Sequence, residues 1–267
     1  MKEKIPTIES IGDGLREIAH TKKMNVGNVF VDFLDYIIGF FSPVKAPVEG
    51  WAKKYDKEDN RAFYGLMADY FQIMKKQLAR KLWFDAFGDL FMSIHAKGNN
   101  NAQFFTPDDV CSMLAETTLL SYNGEREPMH DTLFGKRVII NDCACGSARL
   151  SLAAKAIFDK NGWRAPYLVC EDIDPTCCKM AAINMAMHGC FGEVICHDAL
   201  CEPDKLKLGY ITCETMWPFP TFVPSIRPCN DARCFVGIAR WKEIKTDNVR
   251  TKEQGTKKRQ PQQLELF

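Results

Sequence analysis

The sequence predicts an α/β protein in which a helical region precedes the sheet, and two patterns carry this prediction. In residues 7–97, apolar side chains recur at spacings of three and four, which is typical of amphipathic helices that face a core. From residue 137 onward, short apolar runs alternate with helical segments, which predicts parallel strands joined by right-handed crossovers. The chain has 267 residues, 46% of them hydrophobic, so it can form one large domain or two small ones, and disorder of the whole chain is excluded.

The helical region is assigned to residues 1–98. Its clearest apolar stripes lie in residues 26–38 and 63–74, and we interpret both as core packing. Pro43 and Pro47 separate the two helices that carry these stripes, because proline interrupts a helix. The polar, Gly-containing residues 97–101 predict a loop.

The α/β half is assigned to residues 99–241. Its predicted strands are 138–140, 167–170 and 193–196, its predicted helices are 150–158 and 175–188, and two further strands are expected at 209–213 and 234–241. Residues 242–267 carry 7 Lys and Arg against 4 Asp and Glu, with no apolar period before the last four residues. This composition predicts a disordered basic tail.

Charge and cysteine content point to no particular partner. The net charge of +1 creates no long-range attraction for nucleic acid, so any DNA contact has to come from a local patch. All 12 cysteines lie between Cys111 and Cys234, and we predict reduced thiols packed in the α/β core. Metal ligation is the alternative, but the closest cysteine pairs lack the spacing of structural zinc sites.

No membrane segment is predicted. The longest apolar run, residues 28–44, contains Asp32 and Asp35 and is too short to span a bilayer. The first residues lack the apolar stretch of a signal peptide, so we expect a cytoplasmic protein.

Polar groups follow each of the first three predicted strands. A small-residue turn, residues 141–148, separates the first strand from its helix and leaves backbone amides free for a ligand. Asp172 follows the second strand and Asp198 the third, whereas Asp174 is expected to cap the helix that starts at Pro175. Because ligands of such sheets bind at the carboxyl ends of the strands, these carboxylates predict an adenosine site.

Four motifs in one order resemble those of adenine DNA methyltransferases, the modification subunits of type I restriction systems. The motifs in this chain are QFFTP (103–107), DCACGS (142–147), DIDP (172–175) and DAL (198–200), and the family patterns are QFFTP, DPACGSG, EIDP and GDTL. Residues 85–90 resemble the helix that precedes QFFTP in that family. The resemblance implies a shortened, Rossmann-like, S-adenosylmethionine-dependent methyltransferase fold in a bacterial or mobile-element protein.

The resemblance also implies roles for individual residues. Phe104, Thr106 and Pro107 would close over the methionine end of S-adenosylmethionine. Asp142 and Gly146 would hold its amino acid portion, Asp172 its ribose and Asp198 its adenine amine, while Ile173 would pack on the adenine face. The full candidate set for binding the cofactor is Gln103, Phe104, Phe105, Thr106, Pro107, Asp142, Ala144, Gly146, Asp172, Ile173, Asp198 and Ala199.

The sequence departs from the family pattern in two ways. Cys143 replaces a proline, Ala148 a glycine and Asp172 a glutamate, which are small changes. The larger departure is the absence of the NPPF or NPPY tetrapeptide that holds the flipped adenine. At the matching distance the chain reads TCETMWPFP (212–220), where Glu214 could accept from an amine and Trp217 or Phe219 could stack, or the loop could simply have diverged. We expect only about 20 ordered residues after Trp217, so no region for reading DNA sequence is evident.

Two functions therefore stay open. The first is a DNA adenine-N6 methyltransferase that acts with partner subunits, such as a specificity subunit, and has no assigned catalytic residue. The second is a catalytically inactive relative that binds the cofactor or DNA as an accessory protein.

The last five residues, QLELF, resemble the peptide with which bacterial replication and repair proteins bind the DNA sliding clamp. Gln263, Leu264, Leu266 and Phe267 would be the anchors, presented on a flexible tail. A chance match and packing of these side chains on the domain are the alternatives.

Overall fold

A computed structural model of the chain describes residues 5–43, 50–95, 105–122, 124, 135–201, 206, 208–213, 224–240 and 242–243. Five helices come first: α1 (Ile8–Lys22), α2 (Val26–Phe41), α3 (Trp51–Lys54), α4 (Lys57–Leu78) and α5 (Ala86–His95). They lie within the segment predicted to be helical, so that prediction is confirmed. Two of them begin with capping boxes, in which Thr7 pairs with Ser10 and Asp56 with Asp59, because their side chains satisfy the first free amides.

The second half alternates helices and strands. Its elements are α6 (Asp108–Thr118), β1 (Ile139–Asp142), α7 (Arg149–Lys160), β2 (Tyr167–Asp172), α8 (Pro175–Met187), β3 (Phe191–Cys196), β4 (Leu208–Thr212) and β5 (Ile226–Cys229). The five strands form one sheet in the order β1-β2-β3-β4-β5. The first three strands, α7 and α8 confirm the predicted strand and helix alternation.

The predicted parallel pairing is confirmed for the first three strands, but the last two strands do not extend it. β1, β2 and β3 are parallel, but β4 pairs antiparallel with β3, and β5 antiparallel with β4. Only eleven residues separate Cys196 from Leu208. A parallel connection needs a crossover of a dozen or more residues, usually with a helix, so the short connection returns the chain antiparallel.

The strand predicted at residues 234–241 is also wrong. Residues Ala232–Cys234 form a 3₁₀ turn and residues 236–240 are helical, while the fifth strand is Ile226–Cys229, which was missed. The buried side chains Phe235 and Ile238 are three residues apart, a spacing that suits a helical turn better than a strand. Pro228 lies within this strand, and proline is tolerated there because β5 is at the edge of the sheet.

One hydrophobic core joins the helices to the sheet. The helix α8 packs on β2 and β3 and also against α2 and α5. A smaller cluster that includes Tyr167, Val169 and Phe235 covers another part of the sheet. Both clusters cover residues of the sheet with apolar side chains. The strands β1, β2 and β3 end together at the carboxyl edge of the sheet, and this edge is where we expect a site.

The cysteines contribute mainly to packing. All twelve are free thiols, and eight of them are buried, as predicted for small core residues. Within the described ranges, no group of three or more His, Cys, Asp and Glu side chains is arranged to hold a metal ion.

Among the described helices, no single one is long and apolar enough to cross a membrane. The pair α1 and α2 has enough length and apolar character when taken together, but the two helices are bent by 114° at their junction.

Candidate functional site

The turn between β1 and α7 is held against the end of β2. The backbone N–H of Cys145 donates to the carbonyl of Glu171 at 2.9 Å, and the N–H of Gly146 donates to Oδ2 of Asp172 at 2.8 Å. Gly146 has a φ of +54°, a left-handed conformation that glycine adopts at little cost. The small-residue turn predicted from the sequence is therefore present and is tied to the second strand.

Ala148 ends this turn with a φ of +73°, also in the left-handed region. The family pattern has a glycine at this position, and an alanine there is strained by about 1–2 kcal/mol.

Asp172 organises the loop that follows β2. Its Oδ1 accepts from the N–H of Asp174 at 2.9 Å, while its Oδ2 accepts from Gly146. Asp174 in turn accepts from the N–H of Thr176 at 2.8 Å and caps α8, with Pro175 in the first turn, which confirms its predicted capping role. An ionised carboxylate offers about four acceptor sites, so Asp172 retains capacity for the hydroxyls of a ligand.

Asp142 ends β1 and is partly buried. Its Oδ2 accepts from the hydroxyl of Ser151 at 3.3 Å. Burial raises the pKa of Asp142 above its ordinary value, a bond from the backbone of Ala144 opposes this shift, and the neighbouring charges of Asp172 and Glu171 add to it. This edge of the sheet therefore has an excess of negative charge, which favours a cationic ligand.

A cavity of about 230 Å³ opens where these loops meet. Of the residues predicted from the sequence, it is lined by Phe105, Thr106, Asp142, Ala144, Gly146 and Asp172. Residues from the QFFTP, DCACGS and DIDP motifs, up to 67 positions apart in the chain, thus surround one space.

Among the described residues, the other members of the predicted set lie outside the cavity lining. Ile173 is 61% exposed on the surface beside Asp172, and Pro107 precedes α6 as its N-cap residue. Asp198 and Ala199 are partly exposed after β3. Gln103 and Phe104 lie outside the described residues.

Two residues at the same edge were not predicted. Nε2 of His197 lies 2.6 Å from Oε2 of Glu171, and both side chains are buried. The backbone N–H of His197 also donates to the carbonyl of Asp172 at 3.0 Å. This pair joins the ends of β2 and β3 under the loops that carry Asp172 and Asp198.

Sequence reasoning also missed a buried polar network behind the cavity. Asp85, 1% exposed, accepts four hydrogen bonds. The donors are the N–H of Gly88 at 2.7 Å, Nδ2 of Asn184 at 2.7 Å, Oγ of Ser147 at 2.5 Å and Nε of Arg149 at 2.6 Å. One feature of the sequence points to this network. Asp85 is a charged residue directly before the apolar run of α5, and it belongs to residues 85–90, which resemble the helix that precedes QFFTP in the family.

The segment considered as a replacement for NPPF follows β4 in the sequence. Residues 214–220, including Glu214, Trp217 and Phe219, lie outside the described residues, but Cys213 directly precedes them. Thr212 pairs with Gly192 at the start of β3, whereas Cys196 at the end of β3 pairs with Asp172. At roughly 3.3 Å per residue, Thr212 is roughly 13 Å from the cavity edge along the strands. The chain thus leaves β4 at the edge opposite the cavity.

Fold and site together define an α/β protein with a carboxylate-lined cavity at the carboxyl edge of its parallel strands. A family model described as N-6 DNA Methylase matches residues 84–216, from just before Asp85 to just beyond β4. This part of the chain belongs to that family. Searches of curated proteins and of solved structures gave no match.

Proposed function

We propose that the chain binds S-adenosylmethionine and takes part in methylating the N6 amine of adenine in DNA. The observation that carries this proposal is the cavity where the three motifs meet, with Asp142 and Asp172 in its lining. Its volume is below the roughly 300–1,000 Å³ of typical small-molecule sites, so it suits part of the cofactor, with the adenine outside over Ile173.

The side chains and backbone around the cavity fit this cofactor. Carboxylates accept from an ammonium group and from ribose hydroxyls, which matches Asp142 and Asp172 respectively. Gly146 leaves room beside the turn, and the exposed side chain of Ile173 offers an apolar surface to a base. When bound, S-adenosylmethionine would supply a methyl group attached to a sulfonium sulfur, which departs as a neutral thioether.

The negative charge of the site favours the methyl donor over the product. S-adenosylmethionine carries a sulfonium charge that would be lost on transfer, because an N–C bond forms from the amine lone pair, the electron pair of the broken C–S bond returns to sulfur, and the amine loses a proton. The carboxylates of Asp142 and Asp172 attract the charged form more strongly. We therefore expect tighter binding of S-adenosylmethionine than of S-adenosylhomocysteine.

A tritium transfer assay on unmethylated DNA tests the proposal, with the chain alone and with modification and specificity subunits co-expressed beside it. We expect cofactor binding by the chain alone and methyl transfer to adenine only in the presence of partners. Asp172→Ala serves as the binding-deficient control. Absence of S-adenosylmethionine binding in calorimetry would end the proposal.

A second candidate function is a cofactor-binding accessory protein without turnover. The direction of β4 favours it, because Thr212 pairs with Gly192 and Cys213, which precedes the segment that would replace NPPF, therefore stands at the edge opposite the cavity. Under this hypothesis the chain binds the cofactor, yet no combination of partners yields labelled DNA.

We also propose that the tail binds a bacterial DNA sliding clamp through Gln263, Leu264, Leu266 and Phe267, which lie outside the described residues. The basis is the QLELF sequence. A fluorescent peptide of residues 258–267 should bind the clamp saturably, and the same peptide with Leu264→Ala and Phe267→Ala should not. Equal signals from the two peptides, with an inert full chain, would reject clamp binding.

A further inference from the structure

Arg149 stands at the first position of α7 and its side chain is 10% exposed. Its guanidinium reaches three segments. Nε donates to Asp85 at 2.6 Å, and one terminal nitrogen donates to Asp89 of α5, also at 2.6 Å. The other terminal nitrogen donates to the backbone carbonyl of Thr106 at 3.3 Å. One side chain therefore links the start of α5, the segment after it and the β1–α7 turn.

Asp85 fixes the guanidinium in place. Its carboxylate is buried, and its four donors come from α5, the β1–α7 turn, α7 and α8. Displacing this carboxylate would leave several buried donors unpaired at once. Asp85 thus gives Arg149 a rigid support that surface ion pairs lack.

The bonds of Arg149 connect two parts of the cavity lining, which we call its two walls. Phe105 and Thr106 are one wall, and residues 144–147 are the other. The walls already pack tightly, because a Cβ on Gly146 would lie only 2.8 Å from Cε1 of Phe105. The guanidinium of Arg149 also lies over the ring of Phe105, 5.6 Å from its centre. Its position sets how far apart the walls stand.

We propose that Arg149 is a positioning residue that fastens residues 105–106 to the β1–α7 turn and so shapes the ligand cavity, with Asp85 as its support. The identity of the ligand rests on the proposed function, whereas the fastening does not. The planar fork of arginine is required, since a lysine has a single charged nitrogen that cannot reach three partners in fixed directions.

The test compares Arg149→Lys with Arg137→Lys as a matched control. Arg137 donates to the carbonyl of Ala165 at 2.7 Å and lies over the ring of Phe191, away from the cavity. Hydrogen exchange is measured without ligand and with S-adenosylmethionine, alongside calorimetry. In Arg149→Lys, we expect the amides of Thr106 and residues 108–111 to exchange about tenfold faster and the cofactor to bind about tenfold more weakly.

Local readouts separate positioning from general stability. Saturating S-adenosylmethionine should protect residues 106–111 in the wild type and in Arg137→Lys, but not in Arg149→Lys, even where both variants melt at the same temperature. Unchanged exchange and unchanged affinity in Arg149→Lys would overturn the proposal. A wild-type chain that binds no cofactor would refute the proposed function. Hydrogen exchange measured without ligand would still show whether Arg149 fastens residues 105–106 to the β1–α7 turn.

A milder variant covers the case in which Arg149→Lys does not fold. The side chain of Asp89 is 46% exposed, so Asp89→Asn removes the charge of one partner of Arg149, and so weakens that bond, without disturbing the core. We expect about threefold faster exchange at residues 106–111. The same exchange pattern in Asp89→Asn and Arg137→Lys would contradict the proposal.

Discussion

The N–H of Gly146 donates to the carboxylate of Asp172 at 2.8 Å, which joins the loops after two neighbouring parallel strands. The two residues that we propose for the ribose and for the amino acid portion of S-adenosylmethionine thus depend on each other. Asp172 holds the turn of Gly146, and under the proposed function it also accepts from the ligand. Its substitution should affect both the fold of the site and binding.

Asp172→Asn tests this double role. The amide retains one acceptor but presents an NH₂ group toward the N–H of either Gly146 or Asp174, so one donor loses its partner. We expect a loss of about 1–3 kcal/mol in the free energy of unfolding, together with loss of cofactor binding in calorimetry. Asp174→Asn is the control, because asparagine caps helices as well as aspartate does. Similar behaviour of the two variants would contradict the role of Asp172.

Gly146→Ala probes the contact between the turn and Phe105. The added Cβ combines a φ of +54° with a clash against the ring of Phe105. Gly162→Ala is the matched control, because Gly162 has a φ of +64° and nothing within 4 Å of the added Cβ. Both variants should lose about 1 kcal/mol of stability from backbone strain. Only Gly146→Ala should lose cofactor binding, and equal affinities would show that Phe105 does not limit the cavity.

Asp142 should make cofactor binding dependent on pH. Burial raises its pKa in the folded chain, so it becomes protonated at a higher pH than in the unfolded chain. From this group alone, the free protein gains stability as the pH falls through the raised pKa. Binding of a cationic ligand needs the ionised form, so affinity should fall as the pH is lowered through this raised pKa. In Asp142→Asn, titration calorimetry should show weaker binding without this slope, and a slope equal to that of the wild type would assign it to another group.

Glu193 should hold the helical segment 236–240 on the sheet. This fully buried carboxylate accepts from the hydroxyl of Tyr167 at 2.6 Å and from the N–H groups of Val236 at 3.0 Å and Gly237 at 2.6 Å. In Glu193→Gln the amide oxygen can accept from only one of these two N–H groups, so the variant should cost about 1–3 kcal/mol and speed exchange at Val236 or Gly237. Tyr167→Phe leaves both N–H bonds intact, so it should spare exchange at both residues. Protection of both amides that survives in Glu193→Gln would refute this attachment.

Local chemistry explains why much of the architecture was predictable. The apolar stripes of α2 and α4, the Asp174 cap before Pro175 and the first three strands are all encoded in neighbouring residues. Motif order likewise placed Asp142, Gly146 and Asp172 at one edge, since parallel strands end on the same side. Pairwise partners such as Arg149 with Asp85 were not predictable, because 64 positions separate them and neither has a distinctive local pattern.

By itself, the sequence determined the α/β class, the helical first half and the strand ends that carry the candidate site, because periodicity and motifs are local properties. Only the tertiary structure decided the direction of β4 and the support behind the cavity. The eleven-residue connection after Cys196 is too short for a crossover, so β4 turns back and Cys213 ends at the edge opposite Asp172. The buried carboxylate of Asp85 gathers donors from separate elements, a requirement that exists only once those elements have packed together.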